Sequence, residues 1–255
     1  LHGHSHFAFS GWVSLALMAL IVARLSDHRG QDLFKKYNRI LFANLICAYG
    51  MLVSFPIQGY GLFSILFSTL SLFVSYWFAI LVWRDIKGIA DGNISFLWFK
   101  AATLFNAVSS IGAFALAFMM ATKTMHQTWY LGAVYFFLHF QYNGWFSFTI
   151  LGLLFEKLKE VKIPVPKLKR IFWLFAMACG PAYFLSALWM PMPGFVYLLV
   201  VLSAIVQFTA WMWAITLIYK ERIAIKQKIP DLAFITLQLS LIAMTIKLFL
   251  QLGST

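Results

Sequence analysis

The residues best suited to chemistry in this chain are its histidines. Six occur, and four of them fall in two matching places. His2, His4 and His6 open the sequence as H-x-H-x-H, and His139 stands in LHFQYNGW. On a helix turning about 100° per residue, His2 and His6 share a face while His4 points away, so one helix end offers two ligand directions. Neutral imidazole nitrogen suits iron, copper and zinc, and a ligating ring is held by a hydrogen bond on its other nitrogen. His139 is followed by Gln141, Tyr142 and Asn143, which can supply outer hydrogen bonds. Gly144, which recurs as Gly11, leaves room for a flat macrocycle, and Trp12 and Trp145 stand about one turn beyond, where an indole can stack on one. An intramembrane histidine also serves as a plain interhelical hydrogen-bond donor, so packing stays open beside ligation. His28 and His126 read as solvated loop residues.

The elements that must position these rings are dictated by composition. The chain has 255 residues, of which 62% are hydrophobic and 11% charged, and a mean hydropathy of +0.82. A water-soluble domain carries about 25% charged residues. Apolar runs of bilayer-crossing length lie at about 5–25, 39–58, 62–83, 96–121, 129–155, 169–190, 194–219 and 232–252, each able to span as a helix. The fold class expected is therefore an all-α polytopic membrane protein with eight transmembrane helices. Disorder, a disulfide scaffold and a nucleic-acid binder are excluded. Cys47 and Cys179 lie in apolar runs without C-x-x-C spacing and read as buried small hydrophobes.

The net charge of +12 is a topological signal. Eighteen of the 20 basic residues fall in the connections Arg24–Arg39, Arg84–Lys100, Glu156–Arg170 and Lys220–Asp231, whereas Phe55–Leu62, Thr122–Thr128 and Trp189–Gly194 carry only Lys123. The positive-inside rule puts the first set in the cytoplasm and both visible termini outside. The eight carboxylates share those basic connections, which disfavours an ion-coupled pump, whose intramembrane carboxylates do the work. Lys247, near the end of the last run, reads as a snorkelling side chain.

An internal repeat organises the chain. HFAFSGWVS at 6–14 matches HFQYNGWFS at 139–147 at an offset of 133. With a one-residue slip, Cys47 and Ser54 align with Cys179 and Ser186, and Asn106 aligns with Gln238, at an offset of 132. The expectation is two parallel four-helix units, 1–125 and 126–255, related by an axis along the membrane normal. His139 has ten span residues before it and His6 only five, so the first helix is expected to continue upstream of Leu1.

The H-x-H-x-H-F-x-x-x-G-W segment at 2–12 and LHFQYNGW at 138–145 resemble the ligand helices of the heme–copper oxidase subunit I superfamily. They are closer still to its small bacterial relatives described as cytochrome c and quinol oxidase polypeptide I-like, and are similar too to heme–copper membrane proteins of the nitric-oxide response. The resemblance implies His4, His6 and His139 as ligands of heme, with copper as a second metal, while His2, sharing a face with His6, is a further candidate metal ligand. It also implies electron transport or gas chemistry in a bacterial cytoplasmic membrane, with cytochrome c or quinol and other membrane subunits as partners. The chain departs from the pattern in having no His-His pair after His139 and no later H-x-H. The other reading is a non-enzymatic transporter or structural subunit whose histidines pack helices or hold a structural metal.

The charge pattern makes a direct prediction. In a background lacking Cys47 and Cys179, Met192→Cys in intact cells should react with a membrane-impermeant maleimide, and Lys167→Cys should react only after the cells are opened.

Overall fold

The computed structural model describes residues 2–87, 89, 93–124, 126–158 and 163–254. The side chain of His2, and Asp91, Lys159, Glu160 and Lys162 of the basic connections, lie outside the described residues. Every regular element among the described residues is helical. Helix α1 covers Gly3–Arg29, α2 Phe34–Gln58, α3 Leu62–Ile86 and α4 Ile94–Thr122. A helical run, α5, covers 127–158. Helix α6 is Val165–Cys179, continued after a 46° bend by a tight 3-10 segment, Pro181–Ala187. Helices α7 and α8 are Gly194–Lys220 and Asp231–Gly253, with a one-turn helix, Arg222–Lys226, between them.

Six of these helices, α1 to α4, α7 and α8, are long and apolar enough to cross a membrane, and the bent α6 pair makes up to seven. The chain is thus an all-α, multi-pass membrane protein. The α5 run occupies the place of the expected 129–155 span and is helical throughout. Polar Gln141 and Asn143 interrupt its apolar stretch.

Local signals explain the element ends. Gly30, at φ +61°, closes α1 in the left-handed conformation, its N–H bonded to Ser26 O, a geometry that glycine adopts without strain. The Asn93 side-chain oxygen accepts from the Ser95 N–H at 3.1 Å and so starts α4, as a capping residue does. Pro164, Pro193 and Pro230 stand just before α6, α7 and α8, where a missing N–H costs nothing. In α6 the Gly180–Pro181 step cannot continue the hydrogen-bond ladder, and the helix bends there, as proline requires.

The helices run past the expected spans, which corrects one expectation: Asp27, Asp85 and Glu156 sit in last turns and not in loops. His28 is likewise helical, its ring nitrogen 3.1 Å from the Asn93 amide. Both cysteines are free and buried.

The backbone divides into two compact units, Leu1–Ile111 with Phe140–Leu153, and Gly112–His139 with Leu154–Thr255. The first is centred on Met18, Ile21, Tyr37, Phe78, Trp98 and Trp145, all under 2% exposed. One end of it is tied by Asp85. That carboxylate accepts from Lys36 Nζ at 2.6 Å and from Tyr37 OH at 2.8 Å, while Arg29 donates to the Asp85 backbone oxygen, its Nε at 3.1 Å. One residue thereby joins the ends of α1, α2 and α3. In the second unit, Trp211 Nε1 donates to Thr245 Oγ1 at 2.9 Å and Gln251 Nε2 to Gln207 Oε1 at 3.1 Å, pinning α8 to α7. Gly112 lies so close to α5 that an added Cβ would stand 2.5 Å from Ala133 O.

Tyr37→Phe should lower stability by about 1.5–3 kcal/mol, since it removes a buried hydrogen bond to a charged group. Lys36→Ala should cost less than about 1 kcal/mol, because that ammonium stays partly exposed. Denaturant unfolding in detergent micelles measures both.

Candidate functional site

Both histidine-headed segments leave the α-helix at the same point. Phe7–Val13 follows His6 and Phe140–Phe146 follows His139, and each forms a seven-residue π-helix. A π-helix widens the turn by one residue and loosens its hydrogen bonding, so it is rare and concentrates at functional sites. The widened turns are closed at matching positions. Ser14 N–H reaches Phe9 O, and Ser147 Oγ donates to Tyr142 O at 2.7 Å. Side chains serve other carbonyls around the first segment: Ser10 Oγ donates to His6 O at 2.7 Å and Asn44 Nδ2 to Ser10 O at 2.7 Å.

Within the first unit the two π segments pack on one another. Phe9 meets Tyr142 edge to face at 5.2 Å and stacks with Phe146 at 6.1 Å. Trp145 is fully buried, and its Nε1 donates to Ser14 Oγ at 3.0 Å. Trp12, which the repeat sets against Trp145, is instead 72% exposed. The glycines serve helix approach. A Cβ on Gly11 would stand 2.8 Å from Ala48 Cβ, and one on Gly144 would stand 2.5 Å from Phe105 Cβ. Neighbouring side chains therefore take up the room expected for a macrocycle at these two glycines.

Gln141 is buried and donates through Nε2 to Asn106 Oδ1 and to Ser109 Oγ, both at 2.8 Å. Ser109 in turn donates to Asn106 O at 2.6 Å. Gln141 thus belongs to an amide–hydroxyl cluster with α4. Tyr142 is 46% exposed, and Asn143 is half-buried.

The histidines differ in setting. In the first unit, the His6 ring is half-buried and stacks flat on Phe55, centroids 4.4 Å apart, while His4 is exposed. In the second unit, His139 is 4% exposed, and its Nε2 lies 2.8 Å from Cys179 O. A carbonyl can only accept, so Nε2 carries the proton. The carbonyl is available because of the Gly180–Pro181 break: Tyr183 N–H, the i+4 donor of an unbroken helix, turns to Gly180 O at 3.1 Å. Tyr183 OH then donates to Gly132 O at 2.9 Å, tying the 3-10 segment back to α5.

This arrangement sets what the site can hold. With Nε2–H given to a backbone carbonyl, the neutral His139 ring has its lone pair on Nδ1, the pattern of a ligating histidine fixed by an outer hydrogen bond. His139 is thus held in one tautomer and one orientation. No group of three or more His, Cys, Asp or Glu able to hold a metal ion occurs among the described residues. The structure brings Gln141, Gly144 and Trp145 together with Gly11 and Ser14 in one unit, and leaves His4 and Trp12 at the surface.

Sequence reasoning did not find the Cys179 carbonyl or the Ser109 hydroxyl. The Gly-Pro dipeptide after Cys179 is the signal that marks the first.

Trp145→Phe, which drops the bond to Ser14, should cost about 0.6–2 kcal/mol. Gly144→Val, which forces a side chain into Phe105, should cost about 1–3 kcal/mol. Unfolding in mixed micelles of rising sodium dodecyl sulfate, followed by circular dichroism, ranks the two. The chain matches no protein-family model, no curated protein and no solved structure.

Proposed function

We propose that the chain is a heme-binding redox protein of the bacterial cytoplasmic membrane, related to the core of heme–copper oxidase subunit I, in which His6 and His139 are the residues that would hold heme iron. The observation that carries this reading is the register of the π-helices. Two rare, seven-residue π segments, each headed by histidine and each containing Gly-Trp, lie 133 residues apart. Irregular backbone that recurs at one place in a repeat is held there by something more specific than the apolar pattern.

The same register supports eight spans arranged as two parallel four-helix repeats, 1–125 and 126–255, with 127–158 as the fifth span and the bent Val165–Ala187 pair as the sixth. The basic connections between spans support a cytoplasmic face on that side and both visible termini outside.

On this reading the chain's own residues do three things. Cys179 O fixes the tautomer of His139 and aims Nδ1. The Gln141–Asn106–Ser109 cluster and the Trp145–Ser14 bond hold the second π segment rigid. The apolar surround keeps water from the imidazoles. A bound heme would supply one-electron transfer or gas ligation, with cytochrome c or quinol as the class of electron donor.

A second reading has its own observation. The His139 bond to Cys179 O satisfies a carbonyl freed by the helix break, and glycine approach explains Gly11 and Gly144, so the motif also suits a packing role in a transporter or structural subunit. Protein purified from cells grown with iron and a heme precursor decides between them. The heme reading expects a Soret band and near-stoichiometric iron, both lost in His139→Ala, with the variant still inserted. Colourless wild-type protein, or a His139→Ala variant with full iron content, would overturn it in favour of packing.

A further inference from the structure

Helix α8 is held to the second unit by one side only. Leu248 is its one buried residue among those described, and it lies on the face that carries Thr245 and Gln251 toward α7. A second side presents Ile235, Ile242 and Phe249, all more than half exposed, with Gln238 between the first two. Ile235, Gln238, Ile242 and Phe249 follow one another at steps of three, four and seven residues, the spacing of a two-helix seam. Apolar side chains facing lipid need no explanation, but Gln238 among them does. Its side chain is exposed and has no hydrogen-bond partner among the described residues.

The depth of Gln238 matters. It stands four residues from the middle of Asp231–Gly253, or about 6 Å along the axis, whereas the hydrocarbon layer extends about 15 Å either way from its centre. Lipid offers a carboxamide nothing to bond. Asn106, which the offset of 132 sets against Gln238, shows how such an amide is satisfied in this fold: it is buried and accepts from the Gln141 carboxamide of a neighbouring helix at 2.8 Å.

We propose that the outward face of α8 is a homodimer interface in which Gln238 pairs with Gln238 of a second copy. The carboxamide carries both donor and acceptor, so it complements itself. All copies in a membrane share one orientation, so a two-fold axis between them runs along the membrane normal and brings residue 238 opposite its counterpart at equal depth. The seam of Ile235, Ile242 and Phe249 that contains it then packs as a parallel pair.

The test is the monomer–dimer equilibrium of the full chain in lipid vesicles, read by subunit counting in photobleaching as protein is diluted. Wild type should dimerise, Gln238→Asn should keep the dimer, and Gln238→Leu should weaken it roughly 3- to 30-fold, the worth of an intramembrane hydrogen bond. Disulfide trapping gives a second readout. In a background lacking Cys47 and Cys179, Gln238→Cys should cross-link two copies under oxidant, and Thr236→Cys, about 160° round the helix, should not. A monomeric wild type, equal affinity in Gln238→Leu, or equal trapping at both positions would overturn the proposal.

Discussion

A bilayer supplies no water to a backbone carbonyl or a buried amide, and this constraint organises the molecule more than any single side chain does. At several places where the α-helical ladder is interrupted, a polar side chain serves a carbonyl there. The break at Gly180–Pro181 turns Tyr183 N–H away, and His139 donates to Cys179 O. Around the widened turns, Ser10, Asn44 and Ser147 serve His6, Ser10 and Tyr142 carbonyls. Several polar residues of the spans thus stand where the backbone is irregular. Leaving one such group unserved in hydrocarbon costs several kcal/mol, more than most packing differences between helices.

The histidine motif stands at the meeting of two demands on that constraint. As packing, it closes a carbonyl and lets helices approach through Gly11 and Gly144. As ligand chemistry, the same bond fixes the imidazole tautomer, as an outer hydrogen bond does for a ligating histidine. These roles are compatible: a ring held rigidly by Cys179 O is better prepared for ligation than a mobile one.

Much of the fold is legible in the sequence because apolar runs of bilayer length can only be helices. The helices fall where the runs predict them, most ends moved outward by as many as five residues, since charged residues such as Asp27 and Asp85 can continue a helix as it leaves the hydrocarbon. The partnership of Asp85 with Tyr37 and Lys36 was illegible, because nothing in the local pattern links residues so distant in sequence. The π-helices left a trace as the repeated H-F-x-x-x-G-W, yet backbone widening has no compositional signature of its own. Trp12 and Trp145 show the limit of repeat reasoning. Identical residues at one register are exposed in one copy and fully buried in the other, because burial depends on the helices alongside and not on the motif.

The central claim is that an imidazole at the head of a π-helical segment ligates iron. Pulsed electron paramagnetic resonance on the oxidised protein, prepared from cells fed 15N-histidine, reads that bond directly. The account predicts a low-spin or high-spin ferric heme signal with 15N hyperfine coupling that disappears in His139→Ala. A ferric signal without histidine coupling, or no ferric signal in protein matured with heme available, would contradict it.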